Sequence, residues 1–174
     1  MSDLRSAPVP GLRADDHVRG PARAPLLIEY GDLECAYCAA LQVRVEELRA
    51  RGALRHVFRH FPVRSAHPRA WAAACATEAA GRQGRFWELH DAILADQGHI
   101  EDPHLWRLAE RFGLDLERFD AERRDAAVVA RVRRDFTDGV RAGVVRTPTM
   151  FVDGVAHSGE ALRALLDELP GRWS

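Results

Sequence analysis

Lysine is absent from the chain. All 25 basic side chains are arginine, which leaves no amine for Schiff-base chemistry and, with the abundance of alanine, reflects compositional bias more than function. An excess of charge of one sign is absent too. The 26 acidic residues balance the arginines to a net charge of -1, so there is no electrostatic footprint for nucleic acid or an anionic membrane. No apolar run approaches the roughly 20 residues a membrane-spanning helix needs. The first twenty residues lack the apolar stretch of a secretory signal and carry Asp3, Asp15 and Asp16, so the chain as written is expected in the cytoplasm. An extracytoplasmic location is expected only if the true N-terminus lies further upstream. Cysteine is scarce: three in 174 residues, in a chain that is 47% hydrophobic and builds its core without disulfides. In a reducing compartment such cysteines point to catalysis or metal binding more than to static cross-links.

What is present is an ordered alternation of patterns. Residues 1–15 read as a flexible lead-in. "PLLIEYGD" (25–32) is a short apolar run ended by Gly-Asp, a buried strand. A helix follows from Cys35 to about Arg51, with Cys38, Leu41, Val45 and Leu48 on one stripe and Gly52 closing it. "ALRHVFRHFPV" (53–63) is the next strand. From 65 to 141 the period is helical throughout: one helix ends at Gly81, a second covers 85–96, and a third opens with Asp102 as cap and Pro103 at its first position. Trp71, Phe86, Trp87, Trp106, Phe112 and Phe119 form this block's core, and "RVRRD" (131–135) a solvated face. "TPTMFVDGVAHSG" is a hairpin turning at Asp153-Gly154, and "GEALRALLDEL" (159–169) a closing helix before a short tail, 171–174. The expectation is a single α/β domain with strand–helix–strand and hairpin–helix halves and an all-helical insertion between them.

Cys35 and Cys38 stand where the first strand gives way to its helix. The unpaired N–H groups and the dipole of a helix N-terminus favour a thiolate at Cys35. Cys38, three residues on, shares its helix face and lies within disulfide reach on the buried stripe. An exposed nucleophile backed by a sheltered resolving thiol is what exchange chemistry requires. A zinc site would need a second close pair, and His56, His60, His67 and Cys75 could join only through tertiary contact. No metal and no organic cofactor is expected beyond the redox-active Cys35–Cys38 disulfide itself.

With "DHVRGPARAPLLIEYGDLEC" before the pair, "FRHFPV" and "HPRA" after it, "QGRFWELHDAIL" in the insertion and "RTPTMFVDG" late in the chain, residues 16–169 resemble the DsbA family of the thioredoxin superfamily. The wording is most similar to DsbA-like domains that occur alone or appended to bacterial sodium/proton antiporters. The resemblance implies a thioredoxin-like fold (16–64 and 142–170) carrying the helical insertion, and a protein disulfide oxidoreductase. It also implies that Pro148 is cis and faces the cysteines, with Thr147 offering backbone hydrogen bonds to a substrate chain and Ala36 and Tyr37 flanking it. Expected partners are a disulfide- or thiol-containing polypeptide and, for recycling, a low-molecular-weight thiol or a reductase. Two alternatives stand beside this: a redox-switched adaptor for a partner such as a membrane transporter, and a glutathione-dependent isomerase or transferase, against which the retained Cys38 counts.

The chain departs from the family's pattern between the cysteines, where Ala36-Tyr37 replaces the usual proline and frequent histidine. Tyr37 supports a thiolate less than histidine does, and the carboxylate of Glu34 opposes one. A Cys35 less acidic than that of a strong oxidase is therefore expected, favouring reduction or isomerisation. Glu29, on the strand leading to the pair, is either a buried proton shuttle for Cys38 or a solvated edge residue. Cys75 reads as a small buried hydrophobe, and His90 as insertion packing or a hydrogen-bond anchor.

Overall fold

The structure, a computed structural model, describes residues 11–172. Its strands are β1 (His17–Arg19), β2 (Leu26–Gly31), β3 (Arg55–His60), β4 (Thr149–Val152) and β5 (Val155–Ser158). They form one mixed sheet in the order β1-β3-β2-β4-β5. Parallel β2 and β3 are joined through helix α1 (Ala36–Ala50), and every other pairing is antiparallel. Between β3 and β4 run α2 (Ala70–Arg82), α3 (Phe86–Ala95), α4 (His104–Arg111), α5 (Leu116–Glu122) and α6 (Ala126–Arg141), and α7 (Gly159–Arg172) follows the hairpin. This is the thioredoxin-like α/β fold with an all-helical insertion.

Strand periodicity divides the core. From β2, Leu27 packs with Val45 and Leu48 of α1 and with Leu162, Leu165, Leu166 and Leu169 of α7. Its alternate residues Ile28 and Tyr30 point to the other face, where they meet Val57, Phe61 and Phe151, with Phe136 of α6 alongside. Close approach of α6 depends on Gly139, because a Cβ there would lie 2.6 Å from the Phe61 ring and 2.8 Å from that of Tyr30. A third cluster joins Cys35, Cys38 and Phe58 to the insertion through Phe86, Leu89, Ile93 and Phe119. The redox pair is therefore roofed by the insertion.

Several boundaries differ from the sequence reading. Helix α2 continues through Gly81 to Arg82, and the chain turns at Gly84, whose φ is +75°. Asp102 is not a helix cap. Pro103 occupies the cap position, the Asp102–Pro103 bond is cis, and the Asp102 carboxylate accepts from Arg123 at 2.6 and 3.0 Å. Trp106 is exposed on α4, its indole N–H on Asp120, because it falls on the side of the helix away from Leu105 and Ala109. The 131–135 face is solvated only at Arg133 and Arg134: Val132 and Asp135 are fully buried, and Arg131 reaches Glu78 at 2.8 Å and Asp15 at 2.9 Å. Nor is the end of the lead-in loose, since Arg13 pairs with Asp16, Asp135 and Asp138. Residues 1–10 of the expected lead-in, and 173–174 of the expected tail, lie outside the described residues, and α7 takes in 171–172.

Candidate active site

Cys35 is the N-cap residue of α1, its backbone extended at φ -80° and ψ 119°. The turn before it is built by Asp32. One carboxylate oxygen of Asp32 accepts the Glu34 N–H at 2.8 Å, and the other accepts the Val63 N–H at 2.7 Å and His67 Nδ1 at 2.9 Å. The insertion fixes the turn from above: the Gln97 amide donates to the carbonyls of Leu33 and Cys35 at 2.9 and 3.0 Å. Across the gap, the Thr147–Pro148 peptide bond is cis, and the Cys35 thiol reaches the Thr147 carbonyl at 3.5 Å.

Both cysteines are free thiols, and their environments drive them apart. The hydrogen bond from the Cys38 thiol, with further help from Thr147 and the backbone N–H groups of Tyr37 and Cys38, overcomes burial and brings the Cys35 pKa down to about 5. Burial pushes the Cys38 thiol well above its ordinary value, reinforced by Cys35 and by the charge of Glu29. The Asp32 N–H also meets the Cys38 sulfur at 3.4 Å. One thiol is thus poised as a thiolate and its neighbour held protonated, the asymmetry exchange chemistry exploits.

The other expected residues are placed as follows. Tyr37 is 67% exposed at the mouth of the site, and Ala36 begins α1. Glu29 is buried, which removes the solvated alternative, and binds His56 Nε2 at 2.8 Å. Glu34 does not present a free charge to Cys35. Its carboxylate is taken up by the Arg69 side chain at 2.8 Å and backbone N–H at 2.7 Å. Cys35 is not the exposed nucleophile expected, since the Thr147–Pro148 loop and the insertion leave it 4% accessible. His90 lies in the core with Nδ1 on Asp91 at 2.8 Å, and burial lowers its pKa to about 4. Among the described residues, no three His, Cys, Asp or Glu side chains are grouped to hold a metal ion.

Sequence reasoning missed Asp32, Arg69 and Gln97. Asp32 carried a signal, a short acid just ahead of a helix start. Gln97 stands 62 residues from the carbonyl it binds and carried none.

Beside the pair runs a groove of about 570 Å³ lined by Tyr37, Leu41, Val145, Arg146, Thr147 and Pro148, among others. A second, of about 460 Å³, lies on the other side of Val145, lined by Phe61, Pro62, Trp71, Phe136 and neighbours.

A five-stranded mixed sheet with a dithiol at the first helix, a cis-proline opposite and helices inserted between the halves defines a thioredoxin-like fold with a helical insertion. The chain belongs to the thioredoxin family, whose model matches residues 13–168. It is 45% identical over 155 residues to a Na(+)/H(+) antiporter NhaA 1 of Salinispora arenicola, covering 86% of this chain but 24% of that protein. It thus spans about a quarter of the length of the curated relatives it matches. Among solved structures, a thioredoxin-like oxidoreductase from Silicibacter pomeroyi DSS-3 shares its fold with a TM-score of 0.80 at 24% identity, 92% of each chain being covered. Alpha-DsbA1 of Wolbachia pipientis does so at 0.75 and 21%, covering 92% of this chain and 94% of that one. No helix among the described residues is long and apolar enough to cross a membrane.

Proposed function

We propose that the protein is a thiol–disulfide oxidoreductase acting on polypeptide disulfides. The observation that carries this reading is the opposed pair: Cys35 lowered to about 5 at a helix N-terminus facing Pro148, Cys38 raised and buried behind it. The Cys35 thiolate attacks one sulfur of a substrate disulfide, forming a mixed disulfide and releasing the other substrate sulfur as a thiolate. Cys38 then gives up its proton and attacks Cys35. The Cys35–Cys38 disulfide forms, and the second substrate thiolate leaves. Glu29, buried beside Cys38 and held by His56, is the acceptor of that proton. Thr147 and Pro148 align the substrate backbone, while Ala36 and Tyr37 meet its side chains. The pair itself is the only redox group required. A low-molecular-weight thiol or a reductase recycles it.

A Cys35 value of about 5 lies between the roughly 3.5 of a strong oxidase and the roughly 7 of thioredoxin. The reduction potential is accordingly expected between about -120 and -270 mV. Dithiol-driven reduction of insulin, abolished by Cys35→Ser, tests the enzyme reading. The second reading is a redox-switched adaptor for a membrane transporter, favoured by the antiporter relatives of which this chain matches about a quarter. On that reading the pair cycles once per event and insulin is not turned over.

A further inference from the structure

Arginines near the core are paired: Arg59 with Asp16 at 2.7 Å, Arg19 with Asp91 at 2.6 Å, Arg69 with Glu34 at 2.8 Å. The two grooves flanking the Thr147–Pro148 loop contrast with this. Arg146 and Arg163 line one, Arg64 and Arg133 the other, and among the described residues none of the four has a carboxylate within 4.0 Å. Arg64 rests on the Trp71 ring at 5.4 Å, and the Arg146 guanidinium lies beside Gly159 at the start of α7. One acid, Glu160, shares the first groove. Between the arginines, Val145 is 85% exposed and Tyr37 stands open, so the surface around Cys35 is apolar at its centre and positive at its rim. Unpaired guanidiniums on both sides of an apolar strip match a chain carrying carboxylates outside an apolar segment, and their field would raise its rate of encounter.

Resting on the oxidoreductase reading, we infer that the substrate is an extended polypeptide whose disulfide is flanked by apolar and then acidic side chains. Arg146 and Arg163 receive the carboxylates on one side, and Arg64 and Arg133 those on the other. The bonds exchanged are those given above, and reduced protein supplies both electrons in a single turnover.

The test uses the reduced protein against disulfide-linked peptides that differ only in Glu, Gln or Lys flanking an apolar core. The Glu peptide is expected to react about tenfold faster than the Lys peptide at low salt, the gap closing near 1 M, where the Debye length falls to about 3 Å. In the double variant Arg146→Glu with Arg163→Glu the order of the two peptides shrinks or inverts, while the Gln peptide reports any general loss. Equal rates for the three peptides, or a preference for Lys, overturn the inference and leave the oxidoreductase reading standing. Absence of exchange with every peptide overturns both.

Discussion

Cys35 and Cys75 have the same accessibility, 4% each, yet one is brought to about 5 and the other pushed to about 11. Burial alone therefore does not set thiol chemistry here. Cys75 sits inside α2 among alanines, where every nearby N–H is spent on the helix and the Glu78 charge adds to the cost of a thiolate. Cys35 sits on the open end of α1, where N–H groups of the first turn and the Cys38 thiol are free to receive charge. The same contrast separates two regions of the molecule: a redox end built to hold a charge change, and an insertion built to hold still.

Thiol reactivity is where the two should differ most. At pH 7 Cys35 is almost wholly thiolate, whereas a pKa of about 11 leaves Cys75 ionised to about one part in 10⁴. The more basic thiolate is intrinsically the better nucleophile, which offsets part of that, so alkylation should favour Cys35 by about 10- to 40-fold before access is considered. Mass-spectrometric mapping of iodoacetamide labelling measures it, and comparable labelling of the two would break the comparison. Glu78→Gln should come next. This buried carboxylate takes His17 Nε2, His60 Nε2 and Arg131, contacts that hold it well below the usual carboxylate range against the opposing effect of burial. Removing its charge takes the buried anion from His17 and His60 and leaves Arg131 with Asp15 alone, which should cost about 3 kcal/mol in denaturant unfolding, while the Cys35 titration stays in place. A Cys35 shift as large as a pH unit would show that the two regions are not separable.

A graded effect of comparable total size follows from linkage. The folded-state pKa of Cys35 lies below its unfolded value, so the stability it contributes is present above about pH 9 and lost as pH falls towards about 5. The slope is at most about 1.4 kcal/mol per pH unit for one proton. Unfolding of the reduced protein should show this rise between pH 5 and 9, and Cys35→Ser should flatten it. Cys75→Ser should not. The smallest effect belongs to Arg69→Ala. Its half-exposed pair with Glu34 is worth under about 1 kcal/mol, but releasing that carboxylate beside Cys35 should move the thiol's midpoint upward.

The fold was legible because its signals are local. The apolar run 25–32, the stripe through Cys38, Leu41, Val45 and Leu48, and the Asp153-Gly154 turn each declare an element within a few residues. The placing of the cysteine pair was legible for the same reason, since both cysteines lie at one strand-to-helix junction. What surrounds the pair was not. Glu34 appeared as a charge against the thiolate because its partner Arg69 is 35 residues away and enters only through the insertion. Gln97 and the buried setting of Glu29 likewise depend on how distant helices dock, which periodicity does not encode. Asp135 was hidden by its company: a charged residue in "RVRRD" reads as solvated until Arg13 arrives from the opposite end of the chain, 2.6 Å away.

The central claim is that the helix N-terminus and its neighbours, rather than exposure, make Cys35 the nucleophile. Titrating the thiolate absorbance of the reduced Cys75→Ser protein, with Cys35→Ser as reference, tests it most directly. The account predicts a midpoint near 5 that vanishes in Cys35→Ser. A midpoint at the ordinary thiol value of about 8.5 would contradict it.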